Sequence, residues 1–377
     1  MADDRKHILY LSSWYPSKNN PFLGNFVKRQ VELLATVYHV TVIHTVSTSD
    51  VNNIELEEFK QDHLKEYIIY HPPGKTLFQK RKIQRAALDL GLEKVSYVDL
   101  LMTQILLPKG WQFMKVKKNF NCPWIHIEQG SYFRPETRAN WSIIEKTIVK
   151  RCSKHITSLF AVSEFLKKDL KVVFPNRRIG VIPNHVDTDL FSQKKQENGN
   201  DHTRFIHVST LDVKTKNPAG IFEACKIVKN RKGKAFKLIV ISDEPAQVWK
   251  KHCSEEGLED IIHFEGAKEW EDLPSYYQNS DAFILNSDYE TFSIVLAEAW
   301  CTGIATLTTP VGIGENLPKH LGLQSKIKDA SSLANRMIEF MENKDQFNSE
   351  EIRNQAMKYS SSNVLEELKA IIDTHVG

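Results

Sequence analysis

Cysteine is sparse in this chain and never clustered. Cys122, Cys152, Cys225, Cys253 and Cys301 form no Cys-x-x-Cys pair, which excludes the usual zinc and disulfide frameworks and leaves five buried thiols as the expectation. Long apolar runs are missing too. With no stretch of about 18 apolar residues, no bilayer-spanning helix is expected. Charge of one sign is not in excess: 50 Lys and Arg stand against 47 Asp and Glu, a net charge of +3, so nothing points to nucleic acid as a partner. The opening residues, Met1 to His7, run straight into an apolar segment without the profile of a secretory signal, and a cytoplasmic location is expected.

What the chain has in quantity is alternation. Its 377 residues exceed one ordinary core and imply two domains of similar size, with globular contents of 41% hydrophobic and 26% charged residues. Residues 7–13 read as a buried strand, a loop with Pro16, Asn19, Asn20, Pro21, Gly24 and Asn25 follows, and helical spacing runs over 26–38. Strand, glycine loop and helix are how doubly wound folds present N–H groups to an anion, although one glycine outside a Gly-x-Gly-x-x-Gly run serves equally as a turn. Further strands are expected over 40–44, 67–70, 124–127, 156–162 and 179–182, with helices over 141–151 and after the cap residue Ser163. The polar stretch 193–203 reads as a linker. Beyond it, strands over 205–208, 236–241, 261–264, 282–285 and 304–307 alternate with helices over 218–229, 246–255, 273–279 and 291–300. The expectation is an α/β protein with a parallel sheet in each half: domains at 1–190 and 203–355, and a helical tail, 356–377, crossing back to the first.

Residues 289–303 stand out chemically. Between Phe292 and Leu307 the only charged residue is Glu298, and an unpaired buried carboxylate costs several kcal/mol unless it holds something. Glu290 lies eight residues earlier, read here as the start of the same helix, about 12 Å away along it. Two carboxylates so spaced could address the ends of one elongated polar ligand; equally, one could cap the helix and the other meet a buried donor. Basic residues interleaved with apolar ones occur twice, at Lys75 to Arg85 and around Trp111 and Phe113 with Lys109, Lys115, Lys117 and Lys118. Such stretches suit either an anionic membrane surface or a solvated helix face.

Several motifs in order resemble the retaining glycosyltransferases of family four, which have the GT-B architecture of two Rossmann-like domains facing across a cleft. Glu290-Thr291-Phe292-Ser293-Ile294-Val295-Leu296-Ala297-Glu298-Ala299 is similar to that family's Glu-x7-Glu element, and Ile182-Pro183-Asn184-His185-Val186-Asp187 to its hinge segment. Support comes from His207 to Leu211 leading into Lys216-Asn217, from His263-Phe264-Glu265-Gly266, from Val311-Gly312-Ile313-Gly314-Glu315, and from the loop Pro21 to Phe26.

The resemblance implies transfer of a sugar from a nucleotide-diphosphate sugar, UDP- or GDP-linked, to a hydroxyl of a glycan, lipid-linked or polysaccharide acceptor, with retention and without a metal ion or other cofactor. It implies that Glu298 holds the ribose and Glu290 the donor sugar. The helix start at Phe292, Ser293 and Ile294, with Lys216 and Lys214, would meet the diphosphate, Gly24 and Asn25 would close over it, and Phe264 and Gly266 would belong to the donor side. Gln129 falls where the family often keeps a histidine near the donor sugar, a catalytic place that His126 could fill only if the loop is shifted. Two departures are visible. Thr210 occupies a place where Arg is frequent, and Gln129 can hydrogen-bond but cannot act as a base. A non-catalytic nucleotide-sugar-binding partner protein of the same fold is the alternative those departures suggest. Location at the inner face of a membrane goes with the basic stretches.

Overall fold

The computed structural model describes residues 4–193, 202–243 and 245–376. The chain forms two compact units, one comprising residues up to Asn184 together with Val364 onward, the other His185–Asn363. The stretch read as a linker lies mostly outside the described residues, at 194–201.

The first unit is built from β1 (His7–Ser12), α1 (Asn25–Ala35), β2 (His39–Ser47), β3 (Glu55–Gln61), β4 (Leu64–His71), α2 (Leu77–Leu92), β5 (Leu100–Gln104), α3 (Gly110–Phe120), β6 (Trp124–Glu128), α4 (Pro135–Ala139), α5 (Ile143–Ser153), β7 (Ser158–Ala161), α6 (Glu164–Val173) and β8 (Ile179–Val181). Its eight strands lie in the order β3-β4-β2-β1-β5-β6-β7-β8. All pair in parallel except β3, which runs antiparallel to β4 at the edge. Strand β1 sits between β2 and β5, and its Ile8, Leu9, Tyr10 and Leu11 are essentially unexposed, because a central parallel strand is covered on both faces. Two strands escape a reading based on apolar pattern. β3 is charge-rich, as suits an edge that must not recruit another strand, and β5 is short but wholly buried.

Helix α1 buries Val27, Gln30, Val31 and Leu34, one stripe at helical spacing, and it starts at Gly24 with φ 78°. A β-carbon at Gly24 would lie 2.8 Å from the backbone carbonyl of Trp14, so both conformation and space require glycine there.

The second unit contains β9 (Thr203–Val208), α7 (Pro218–Lys232), β10 (Phe236–Ile241), α8 (Gln247–Glu255), β11 (Ile262–Gly266), α9 (Leu273–Gln278), β12 (Ala282–Leu285), α10 (Ile294–Cys301), β13 (Ala305–Thr308), β14 (Gly322–Gln324), α11 (Ala330–Asn343) and α12 (Ser349–Ala356). Its six strands are all parallel, in the order β11-β10-β9-β12-β13-β14. Helix α10 is apolar apart from Glu298 and buried from Leu296 to Cys301. Arg353 of α12 fixes its end by donating to the Cys301 carbonyl, and reaches the carbonyls of Phe191 and Thr188, each at 2.8 Å. The last helix, α13 (Ser361–Val376), returns to the first unit, where Tyr38 donates to Asp373 (3.2 Å) and His375 hydrogen-bonds Ser158 (2.9 Å).

Parallel strands leave their carboxyl ends along one edge of each sheet, where ligand-binding loops emerge. Buried polar side chains gather there: Ser12, His44, Gln104, Glu128 and Gln129 in the first unit, and His207, Asn286, Ser287 and Thr309 in the second. Among the described residues no helix is long and apolar enough to cross a membrane.

Candidate active site

In the second unit the carboxyl ends of β9 and β12 each deliver a loop, and the two are tied where Asp288 N donates to Thr215 O at 2.7 Å. On this tie sits an ion pair. Lys216 Nζ lies 2.6 Å from Glu290 Oε1, and Ser287 Oγ donates to the same oxygen at 2.7 Å. Glu290 is 8% exposed, so desolvation of its carboxylate is offset by a charged and a neutral donor at close range. His207 supports the first loop. Its Nδ1 faces the Ile284 carbonyl at 2.8 Å, which makes Nδ1 the protonated nitrogen and leaves Nε2 to accept from Ser209 Oγ at 2.7 Å. Burial is the main reason its pKa falls to about 4, so the ring is neutral.

The second carboxylate, Glu298, is on α10 and 3% exposed. It accepts hydrogen bonds from Trp270 Nε1 (3.0 Å) and Tyr277 OH (3.2 Å), and both donor rings pack on Phe191. Desolvation and the adjacent carboxylate raise the Tyr277 phenol well above its usual range, keeping it protonated as a donor. Glu290 is not on that helix. Ser293, at φ 78°, caps α10 in the left-handed region, and Glu290 lies in the loop three residues before it. The expectation of one continuous helix from 291 is therefore corrected, and with it the 12 Å helical spacing. Gly312 enforces the break: a β-carbon there would come within 2.4 Å of the Phe292 carbonyl oxygen, which accepts instead from Ile313 N. The buried Ser293 hydroxyl finds no hydrogen-bond partner among the described residues.

In the first unit the organising group is Glu128, at the end of β6 and 1% exposed. One oxygen accepts from the backbone of Gln129 (2.8 Å) and Gly130 (2.7 Å); the other faces Leu106 N (3.1 Å) and His126 Nε2 (3.2 Å). One carboxylate thus pins the loops after β5 and β6. His126, itself 1% exposed, is closed in by Thr103 Oγ1 at 2.7 Å on its other nitrogen. Gln129 is buried, and its Nε2 has no partner among the described residues.

Known proteins show the same division. Residues 23–190 match the model for Glycosyltransferase Family 4, and residues 189–361 that for glycosyl transferases group 1. Both halves of the chain thus match glycosyltransferase family models. It is similar to the MMP alpha-(1->4)-mannosyltransferase of Mycolicibacterium hassiacum, at 25% identity over 191 residues that cover 50% of this chain and 44% of the relative. It is also similar to the amylovoran biosynthesis glycosyltransferase AmsK of Erwinia amylovora, at 27% identity over 51% of each chain. The matches thus span about half the length of those relatives. In fold it resembles sucrose-phosphate synthase from Thermosynechococcus elongatus (TM-score 0.78, 18% identity, 98% of this chain and 99% of that one). It resembles likewise Anabaena HepE in complex with UDP and glucose (TM-score 0.74, 15% identity, 98% and 100% covered).

Within this fold the residues singled out from sequence fall into distinct settings. Glu290, Lys216, Ser293 and the half-buried Ile294 lie together around the loop before α10, whereas Phe292 is a core residue packed edge-on to Tyr359. Thr210 and Lys214 are exposed on the loop after β9. Phe264 packs against Phe222, and Gly266, at φ 73°, has open space where a side chain would be. Gly24 and Asn25 begin α1 in the first unit, with Gln129 and His126 at β6. His126 serves the interior, through Glu128. Sequence reasoning missed Glu128, Ser287, Trp270 and Tyr277. Glu128 alternates with His126 and could have been found as a carboxylate in an otherwise apolar strand, but nothing local marks Trp270 or Tyr277. Among the described residues no group of three or more His, Cys, Asp or Glu is placed to hold a metal ion.

Proposed function

We propose that this chain is a glycosyltransferase that moves a sugar from a nucleoside-diphosphate sugar to a hydroxyl of a glycan, lipid-linked or polysaccharide acceptor, retaining anomeric configuration and without a resident metal ion. The observation that carries the reading is the Lys216–Glu290 pair with Ser287, at the carboxyl edge of a parallel sheet and eight residues ahead of the buried Glu298. UDP, the nucleotide in the HepE structure, and GDP are the two nucleotides to test first. Glu298, with Trp270 and Tyr277 occupying part of its lone-pair capacity, takes ribose hydroxyls with the rest. The start of α10, with its positive dipole end and the free Ser293 hydroxyl, receives the diphosphate alongside Lys216. Glu290 faces the donor sugar, and the first unit holds the acceptor.

In the transfer, the bond from the anomeric carbon to the diphosphate oxygen breaks and its electron pair leaves with the nucleoside diphosphate. The acceptor oxygen forms the new bond on the same face, and its proton passes to the departing phosphate. Lys216 and the helix start stabilise the charge that builds there. The exposed side of α2, with Phe78 at 78% exposure beside Lys80, Arg81, Lys82 and Arg85, would rest on an anionic membrane.

The test is incubation with a panel of UDP- and GDP-sugars, following thermal shift and slow donor hydrolysis, with and without a chelator. Binding with turnover supports transfer, and binding without turnover selects the non-catalytic partner reading, for which Thr210 and Gln129 speak. Silence towards every donor removes both. Co-sedimentation with anionic liposomes tests the membrane face: changing all four basic residues of α2 to Glu should abolish it.

A further inference from the structure

Among the described residues of the first unit, the half-buried ammonium of Lys109 has no acidic partner. Lys109 follows β5 and forms the cap position of α3, and its Nζ donates to the Thr45 carbonyl at 2.6 Å. Beside it stands the His44 ring, whose Nδ1 donates to the Ser12 carbonyl at 3.2 Å and whose Nε2, 3.5 Å from Lys109 Nζ, is left as an acceptor. Among the described residues no carboxylate answers this charge. Glu66, the buried acid on β4, is engaged by Tyr15 OH at 2.6 Å, and Asp89 on α2 is engaged by Lys115. His71 at the end of β4 is within electrostatic reach of Lys109 and of Lys80, so the neighbourhood adds basic groups. The start of α3 has neither a side-chain cap nor an acidic residue in its first turn, and therefore adds positive dipole. Ser13 Oγ accepts from Lys109 N at 3.2 Å and retains its own proton for donation. Burial holds the Lys109 amine down at about 7, and burial with the neighbouring Lys109 holds the His44 ring well below its usual range. Lys109 itself stays partly accessible to solvent.

We propose that Lys109 and Ser13, at the start of α3, form an anion subsite that binds a phosphate group carried by the acceptor. The proposal rests on the reading that the first unit holds the acceptor. Ammonium and hydroxyl donors at a helix start suit a phosphate monoester or diester, whose charge replaces the missing carboxylate. The same chemistry is offered by a soluble sugar phosphate and by a phospholipid headgroup.

The experiment is calorimetric titration of the full chain with inorganic phosphate and with sulfate, for the wild type, Lys109→Met and Lys216→Met. Loss of affinity by about tenfold or more in K109M, with K216M retaining this binding, is expected. Binding unchanged in K109M, or lost only in K216M, overturns the subsite. Removing an uncompensated buried charge should leave K109M folded. If it does not fold, Lys109→Arg carries the test with sulfate, whose own charge is constant over the range. Wild-type affinity should then weaken from about pH 6 to about pH 8.5, while K109R stays flat; equal profiles overturn the proposal. Glycerol 3-phosphate and phosphatidylcholine vesicles with and without phosphatidic acid separate the two sources, and competition by neither with sulfate also overturns it. Sulfate binding needs no donor, so the subsite can fail while donor turnover stands, and the reverse.

Discussion

Lys216 and Glu290, 74 positions apart in the chain, meet at 2.6 Å. The ammonium that would face a diphosphate is thus already neutralised by a carboxylate. A donor has to share or displace that contact, so binding and catalysis pull on Glu290 in opposite directions.

Glu290→Gln should therefore bind nucleoside diphosphate more tightly than wild type, by up to about tenfold, because Lys216 is released from its partner. Turnover should fall by about a hundredfold, the loss typical of removing one electrostatic contact to a transition state. Lys216→Met should weaken diphosphate binding, and the double variant should show coupling of about 1–3 kcal/mol. Calorimetry with UDP and GDP beside steady-state rates decides this. Weaker diphosphate binding in E290Q would show that the pair does not compete with the ligand.

Glu298 leads to a different expectation, because its neutral donors come from one aromatic cluster. Tyr277→Phe removes an O–H from a buried carboxylate and should cost about 1–3 kcal/mol of stability, with only a few-fold loss of nucleotide affinity. Glu298→Ala should weaken nucleotide binding far more than it lowers turnover at saturation. Urea unfolding of each variant, paired with nucleotide titration, separates the two effects. Equal affinity losses in both would mean that Tyr277 touches ligand.

The comparison of Glu290 with Glu298 also shows what was legible in the sequence. The parallel sheets could be read because buried strands such as 7–12, 205–208 and 282–285 are continuous apolar runs, and the chain alternates them with helical spacing. Strand β3 could not, since an exposed edge strand carries the composition of a loop. The two carboxylates were visible as charges in an apolar stretch, but the helix break between them was not. It depends on Gly312, twenty-two residues after Glu290, crowding the Phe292 carbonyl. Partners such as Lys216 and Trp270 reach their carboxylates through tertiary contacts that no local pattern encodes.

Glu128 should behave as a positioning residue. Glu128→Gln replaces a carboxylate that accepts three backbone N–H bonds with an amide whose nitrogen must face one of those donors. A loss of about 2–4 kcal/mol is expected, since a buried donor left opposite another donor forfeits its bond and its solvation. Hydrogen exchange should localise the effect to Leu106, Gln129 and Gly130. Protection unchanged at those three amides would disprove the assignment.

His207 gives the pH dependence. It is wholly buried, and burial, partly opposed by the Ile284 carbonyl, holds its pKa at about 4. The unfolded chain titrates this ring at about 6.5, so below that pH the unfolded state takes up a proton that the folded state refuses. Stability is therefore lost as pH falls from about 6.5 towards about 4, by up to about 3 kcal/mol from this residue. The buried His44 in the other unit acts in the same direction, so the wild-type curve alone does not isolate His207. His207→Asn does, because the Asn amide can still donate to the Ile284 carbonyl but does not titrate. Between pH 7 and about pH 5 the second unit of H207N should lose about 2 kcal/mol less than that of the wild type. Hydrogen exchange on β9 and β12 reads that unit directly, and parallel pH profiles for the two proteins would mean that His207 is protonated in the folded state.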